Sequence, residues 1–279
     1  MAGVRIVTDS ACDLPPSLAD DLGIAIVPLT IRFGEIEYVD RRDLSTSEFW
    51  AKCASSDVLP ETAAPSPGTF EASYRELSEA GADAIVTINL SGDLSATIEA
   101  ARTAARAVED VIDVLVVNSR TVSMGLGMLV AEAAEMAADG ASAEEIRAAT
   151  EASANRTRVH AALDTLDNLK KGGRIGAAQS LVGSLLQIKP LIEVRDGLVE
   201  PNGKQRTRSR ALAHLVDQVR SEPSVERLAV LHAACDDIDE FLASLSGLYD
   251  GEIIVGEVGA VIGAHAGPGT IGVAYRVPG

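Results

Sequence analysis

Aromatic residues are scarce in this chain, at 3% of 279 positions with a single tryptophan. A hydrophobic content of 47% must therefore be carried by Val, Leu, Ile and Ala. Aliphatic walls of that kind suit a flexible alkyl ligand, and they equally suit any alanine-rich sequence. Basic residues are few: 24 Lys and Arg stand against 41 Asp and Glu, for a formal net charge of −17. A field of that sign repels phosphate backbones and anionic membrane surfaces, which disfavours nucleic acid or electrostatic membrane binding. Cysteine occurs at Cys12, Cys53 and Cys235 with no CxxC pair, as expected of free thiols in a reducing compartment. No apolar run is long enough to span a bilayer, and no charged-then-apolar leader follows Met1. The expectation is a soluble, cytoplasmic protein. Missing as well are an HExxH or similar metal spacing, a P-loop, a complete GxGxxG and a Gly-x-Ser-x-Gly elbow. No metal or cofactor is expected.

What the chain does have is alternation. Apolar runs at Val4–Asp9, Ile24–Ile31, Asp83–Leu90 and Asp113–Asn118 read as strands. Helical spacings separate them at Ser45–Ala54, Thr69–Ala80, after Gly92 through Val108, and from Met124 to Ala138. Ser142 with Glu145 makes a capping box for a further helix. Strand–helix alternation predicts an α/β fold with a Rossmann-like parallel sheet covered on both faces. The stretch from Pro60 to Gly68 reads as a loop holding Thr62. Beyond Arg158 hairpins become more frequent, including a turn at Asp196-Gly197, which predicts a mixed or antiparallel sheet. The length fits two domains, residues 1–158 and 159–279.

Several strands of the first half end in hydroxyl-bearing turns: Thr8-Asp9-Ser10, Ser91-Gly92 and Ser119. In doubly wound sheets the carboxyl ends of strands share one edge, where ligands bind. Hydroxyls and free backbone donors there suit an anionic head group, although plain helix capping accounts for any one of them. A second concentration of signal is Ala260–Ala274, where His265 stands among Gly263, Gly267, Gly269 and Gly272. That glycine density, with Pro268, predicts a bend between two apolar strands and a histidine held at the bend. Lys204, Arg206, Arg208 and Arg210 form a basic cluster in an otherwise acidic chain. It reads either as a solvated helix face or as a docking patch.

Thr8-Asp9-Ser10 with Asp13-Leu14-Pro15 resembles the opening signature of the DegV family. Similar too are Thr62–Phe70, Leu90-Ser91-Gly92, Ser119–Gly127, Leu169–Ile175, Lys189-Pro190 and Ile262–Gly269, so the likeness spans Ile6 to about Val273. The resemblance implies a two-domain fold that buries a long-chain fatty acid between its lobes. It also implies that the carboxylate is presented to a separate ATP-dependent kinase subunit, which makes acyl phosphate. By motif, Thr62, Ser91, His265 and Arg174 would bind the carboxylate. Thr8, Asp9, Ser10, Ser119, Gly92 and Gly267 would support them, and Arg206 would dock the kinase. The chain departs from the family pattern at Ala63, Ala64, Asp93 and Asn118, and Asp93 beside Ser91 would repel an acid if it faced inward. The competing reading is a hydrolase or phosphoryl-transfer enzyme using Ser91 or Asp9 with His265.

Overall fold

The computed structural model describes residues 3–182 and 188–279. The first half runs β1 (Val4–Asp9), α1 (Pro16–Asp21), β2 (Ala25–Val27), β3 (Thr30–Phe33), β4 (Ile36–Val39), α2 (Thr46–Ser55) and β5 (Glu61–Ala63). It continues with α3 (Pro67–Glu79), β6 (Ala84–Asn89), α4 (Thr97–Ala107), β7 (Asp113–Asn118), α5 (Ser123–Ala138) and α6 (Ala143–Arg156). The second half comprises β8 (Thr157–Ala162), α7 (Asp167–Lys171), β9 (Lys189–Arg195), β10 (Leu198–Gln205) and α8 (Arg208–Arg220). It closes with β11 (Arg227–His232), α9 (Ile238–Ser244), β12 (Ile254–Glu257), α10 (Ala260–Ala266) and β13 (Ile271–Arg276).

Three sheets organise these elements. The first has the order β2-β1-β6-β7, and every pairing in it is parallel. The second, β10-β9-β8-β13-β11-β12, is antiparallel except between β11 and β12. The α/β class, with a parallel sheet followed by a mixed one, is therefore as the alternation predicts. A small antiparallel sheet, β4-β3-β5, pairs the strands on either side of Gly34 and adds β5 as a third. Its third strand falls in the segment read as a loop: Thr62 pairs opposite Ile31. Three residues between prolines carry too little pattern to announce a strand; pairing with β3 supplies the missing stability.

Helix α5 is apolar on nearly all sides, and such a helix belongs inside. It packs between the sheets, against β1 and β6 of the first and β11 and β13 of the second. Gly125 and Gly127 serve that approach, since a Cβ on Gly127 would meet the Cys12 carbonyl and the Leu14 side chain. One hydrophobic cluster thus joins both halves, from Ile6 and Val86 through Leu126 and Val130 to Ala229 and Val258. Helices α3 and α4 cover the outer face of the parallel sheet through Phe70, Tyr74, Ala101 and Ala104. Helices α8 and α9 cover the outer face of the second through Leu215, Val216 and Phe241.

The Ala260–Ala274 segment corrects the reading made from sequence. His265 is not at a bend between strands; it sits in the last turn of α10. Gly263 is there for packing, because a side chain would strike the rings of Phe49 and Trp50 on α2 at 2.7–2.8 Å. Gly267, with φ of 79°, ends the helix in a conformation glycine adopts without strain. Glycines placed for helix contact and capping mimic the composition of a hairpin.

Candidate functional site

An apolar cavity of about 90 Å³ lies between the two halves. Leu29, Leu90, Leu94 and Val122 line it from the first half, and Leu169, Ile192, Val194 and Val199 from the second. Val261, Ile262 and Ala266 of α10 complete the apolar wall. Among the described residues its polar lining consists of Thr62, Ser95, Arg174 and His265. A larger groove of about 710 Å³, lined by Asp13, Arg41, His232 and Glu257 among others, shares no residue with it.

The polar group converges from three separate elements. β5 presents Thr62, whose Oγ1 lies 2.9 Å from Nε2 of His265 on α10. Arg174 follows α7; its Nη1 donates to the Gly172 carbonyl at 2.7 Å and its Nε to the Leu94 carbonyl at 3.1 Å. The guanidinium is thereby held at the cavity wall by backbone acceptors. Burial pushes His265 down to about 4, and the Arg174 charge adds to the effect. The imidazole is consequently neutral near pH 7 and offers one donor and one acceptor. A neutral ring, a hydroxyl and a fixed cation at the rim of an oily cavity suit a carboxylate or another anionic oxygen group on an apolar tail.

The remaining positions singled out in the sequence hold the walls. Thr8 donates to the Ile88 carbonyl at 2.8 Å. Asp9 accepts from the N–H groups of Ala11 and Leu90 and from Asn89 Nδ2. Burial raises its pKa to about 6, against the lowering effect of those donors. Ser10 accepts from the Leu29 N–H at 3.0 Å, so Asp9 and Ser10 fix two lining residues without touching the cavity. Ser119 closes a local turn with Thr121, and Gly92 donates to Asn118 Oδ1.

Ser91 is not among the lining residues. Its buried hydroxyl donates 2.7 Å to the Gly197 carbonyl at the tip of the β9–β10 hairpin. Beside it Arg120 pairs with Asp196 of the same tip. This clasp ties the hairpin, which supplies Ile192, Val194 and Val199, to the end of the parallel sheet. Asp93 is exposed and outside the lining, so its charge does not face the cavity. Ser95, whose N–H closes a turn onto the Ser91 carbonyl at 3.1 Å, lines the cavity instead, and its four-residue spacing from Ser91 is the sequence signal for it. The competing enzymatic arrangement is not assembled, because the His265 partner is Thr62 while Ser91 and Asp9 are committed elsewhere.

The basic cluster is less uniform than its sequence. Arg208 is drawn into an ion pair with Asp237, at 2.5 Å, and lies 3.7 Å from Asp164. Lys204, Arg206 and Arg210 are exposed. Among the described residues no group of three or more His, Cys, Asp or Glu side chains is arranged to hold a metal ion. No helix among them is long and apolar enough to cross a membrane.

Comparison with known proteins bears on the same features. The family described as "Uncharacterised protein, DegV family" matches residues 3–277. A DegV domain-containing protein of Streptomyces coelicolor is 41% identical over 277 residues, covering 97% of each chain. A DegV family protein from Thermus thermophilus, solved with reference to its fatty acid binding, is 34% identical with a TM-score of 0.89. That alignment covers 99% of this chain and 100% of the other. A stearic acid-binding protein from Eubacterium ventriosum is 25% identical with a TM-score of 0.90, over 98% of each chain. With the match running across both sheets and every residue of the cavity described above, the chain belongs to the DegV family.

Proposed function

We propose that this protein binds a long-chain fatty acid between the units 1–158 and 159–279 and presents its carboxylate to a separate ATP-dependent kinase subunit. The observation that carries the reading is the meeting of Thr62, His265 and Arg174 at the rim of an otherwise aliphatic cavity. The fatty acid binding of the Thermus thermophilus and Eubacterium ventriosum proteins supports it. Thr62 and Arg174 bind the head group, His265 backs Thr62 through its Nε2, and Ser91 holds the hairpin wall beside it. The protein itself is not an enzyme on this reading; the partner supplies ATP and chemistry, and Arg206 contributes to docking in the cytoplasm.

Energetics divide the labour. Burying ~14 methylenes yields roughly 11 kcal/mol before the costs of ordering, at about 0.8 kcal/mol each. A hydrogen bond to a charged carboxylate adds only about 1.5–3 kcal/mol. The tail supplies affinity, while the polar rim sets orientation and favours acids over alcohols. At about 90 Å³ the cavity is smaller than the ~300 Å³ or more usual for ligand pockets, so a long chain requires side chains such as Leu94, Ile192 and Val199 to swing aside. Aliphatic rotamers, without bulky rings, suit that movement.

Native mass spectrometry of purified protein titrated with palmitate tests the reading. One acid per chain is expected, and failure to take up any acid between about C14 and C18 would remove it. Addition of the candidate kinase and ATP then reports acyl phosphate.

A further inference from the structure

His265 places its second nitrogen, Nδ1, in an enclosed position with no hydrogen-bond partner among the described residues. The neighbour on that side is the backbone of Gly172, where a Cβ would overlap Nδ1 and approach Cε1 to 2.7 Å. Gly172 has φ of −71° and ψ of −8°, a conformation open to any residue, so backbone geometry does not require glycine there. The His265 ring does.

The direction of a missing Cβ is the direction of a Cα–H bond. Nδ1 therefore faces a carbon-bound hydrogen at close range. A bare ring nitrogen tolerates that neighbour, its lone pair meeting a weakly positive C–H. A protonated Nδ1 does not, because its N–H would press against another hydrogen and remain a buried donor without an acceptor. We propose that Gly172 is a positioning residue that fixes His265 as the tautomer with its proton on Nε2. The ring then donates from Nε2 to Thr62 Oγ1, and the Thr62 hydroxyl hydrogen is left to point at an acceptor in the cavity. With Arg174 alongside, that acceptor is an anionic oxygen group. Burial keeps the ring neutral, consistent with a single ring proton. The consequence for ligand choice rests on the proposed lipid reading; the tautomer does not.

Two measurements test the proposal. Long-range ¹H–¹⁵N correlation spectra of the whole protein at pH 7 should show His265 protonated at Nε2 and bare at Nδ1. A dominant Nδ1–H form would overturn it. Thermal unfolding of Gly172→Ala, His265→Ala and the double variant should show Gly172→Ala lowering Tm far more when the ring is present. In the His265→Ala background the added methyl enters vacated space and meets the Asn168 carbonyl, 3.2 Å away, so most of its cost should disappear. An equal loss in both backgrounds would mean that Gly172 does not act through the histidine. The double variant also keeps the test open should Gly172→Ala alone fail to fold. In a palmitate titration Gly172→Ala should weaken binding by about tenfold, the order expected for one lost charge-assisted hydrogen bond. If wild-type protein took up no palmitate, the lipid reading would fail while the spectra and the unfolding cycle still decided the tautomer.

Discussion

Thr62 and His265 stand 203 positions apart in the chain, and their side chains meet at 2.9 Å. One is carried by the short strand β5, the other by the last turn of α10. Trp50, the only tryptophan, packs beside Gly263 on the same helix and donates to the Val258 carbonyl. Its fluorescence should therefore respond to movement of α10.

Thr62→Val keeps the shape of the side chain and removes its hydroxyl. Palmitate affinity should drop by roughly 10- to 100-fold, the equivalent of about 1.5–3 kcal/mol for a hydrogen bond to a charged group. Titration followed by Trp50 emission measures it. Affinity within twofold of wild type would take Thr62 out of the head-group site.

Ser91→Ala breaks the 2.7 Å bond to Gly197 and loosens the β9–β10 hairpin. The fold should survive with a loss of about 0.5–1.5 kcal/mol, since Arg120–Asp196 and the shared core remain. Retained fatty acid should leave faster, as seen by stopped-flow displacement. Unchanged release would show that the clasp does not hold the ligand.

Asp13 joins the halves by accepting from the Ser123 hydroxyl at 2.6 Å and the Gly259 N–H at 2.9 Å. Burial raises its pKa to about 7, above the unfolded value near 4. A raised folded-state pKa gives stability that is full below the unfolded value and is lost as pH rises through about 7. Asp13→Asn cannot lose a proton, so its stability relative to wild type should rise by roughly 2–4 kcal/mol between pH 4 and pH 8. Denaturant curves of both proteins at several pH values give the difference directly. His265 and His160, both pushed down to about 4, act in the opposite sense below pH 6.5 and cancel in this comparison. A difference independent of pH would contradict the raised pKa.

Arg206→Ala removes an exposed cation far in kind from the oily cavity. Fatty acid binding should persist, and acyl phosphate formation in a reconstituted kinase assay should slow. Equal rates would remove Arg206 from the docking surface.

Much of the architecture is legible in the chain. The strand at Asp113–Asn118 and the capping box of Ser142 with Glu145 are found where pattern places them. The helix face that the basic cluster suggests is α8, which begins at its cap, Thr207 accepting from the Arg210 N–H. These features are local: alternation and capping are decided by neighbours within a few residues. From sequence β5 reads as a loop because its stability comes from β3, some thirty positions away. The α10 segment reads as a bend between strands because its glycines answer to Phe49, Trp50 and Asn168, none of which is a sequence neighbour.

Composition and short-range pattern alone determined that this is an acidic, aliphatic α/β protein with a parallel sheet first and a mixed sheet second. Tertiary structure decided which hydroxyl meets the histidine, which serine closes a hairpin instead, and which arginine is already paired. Those assignments depend on distances between side chains remote in sequence, and such distances arise only when α5 draws the two sheets together.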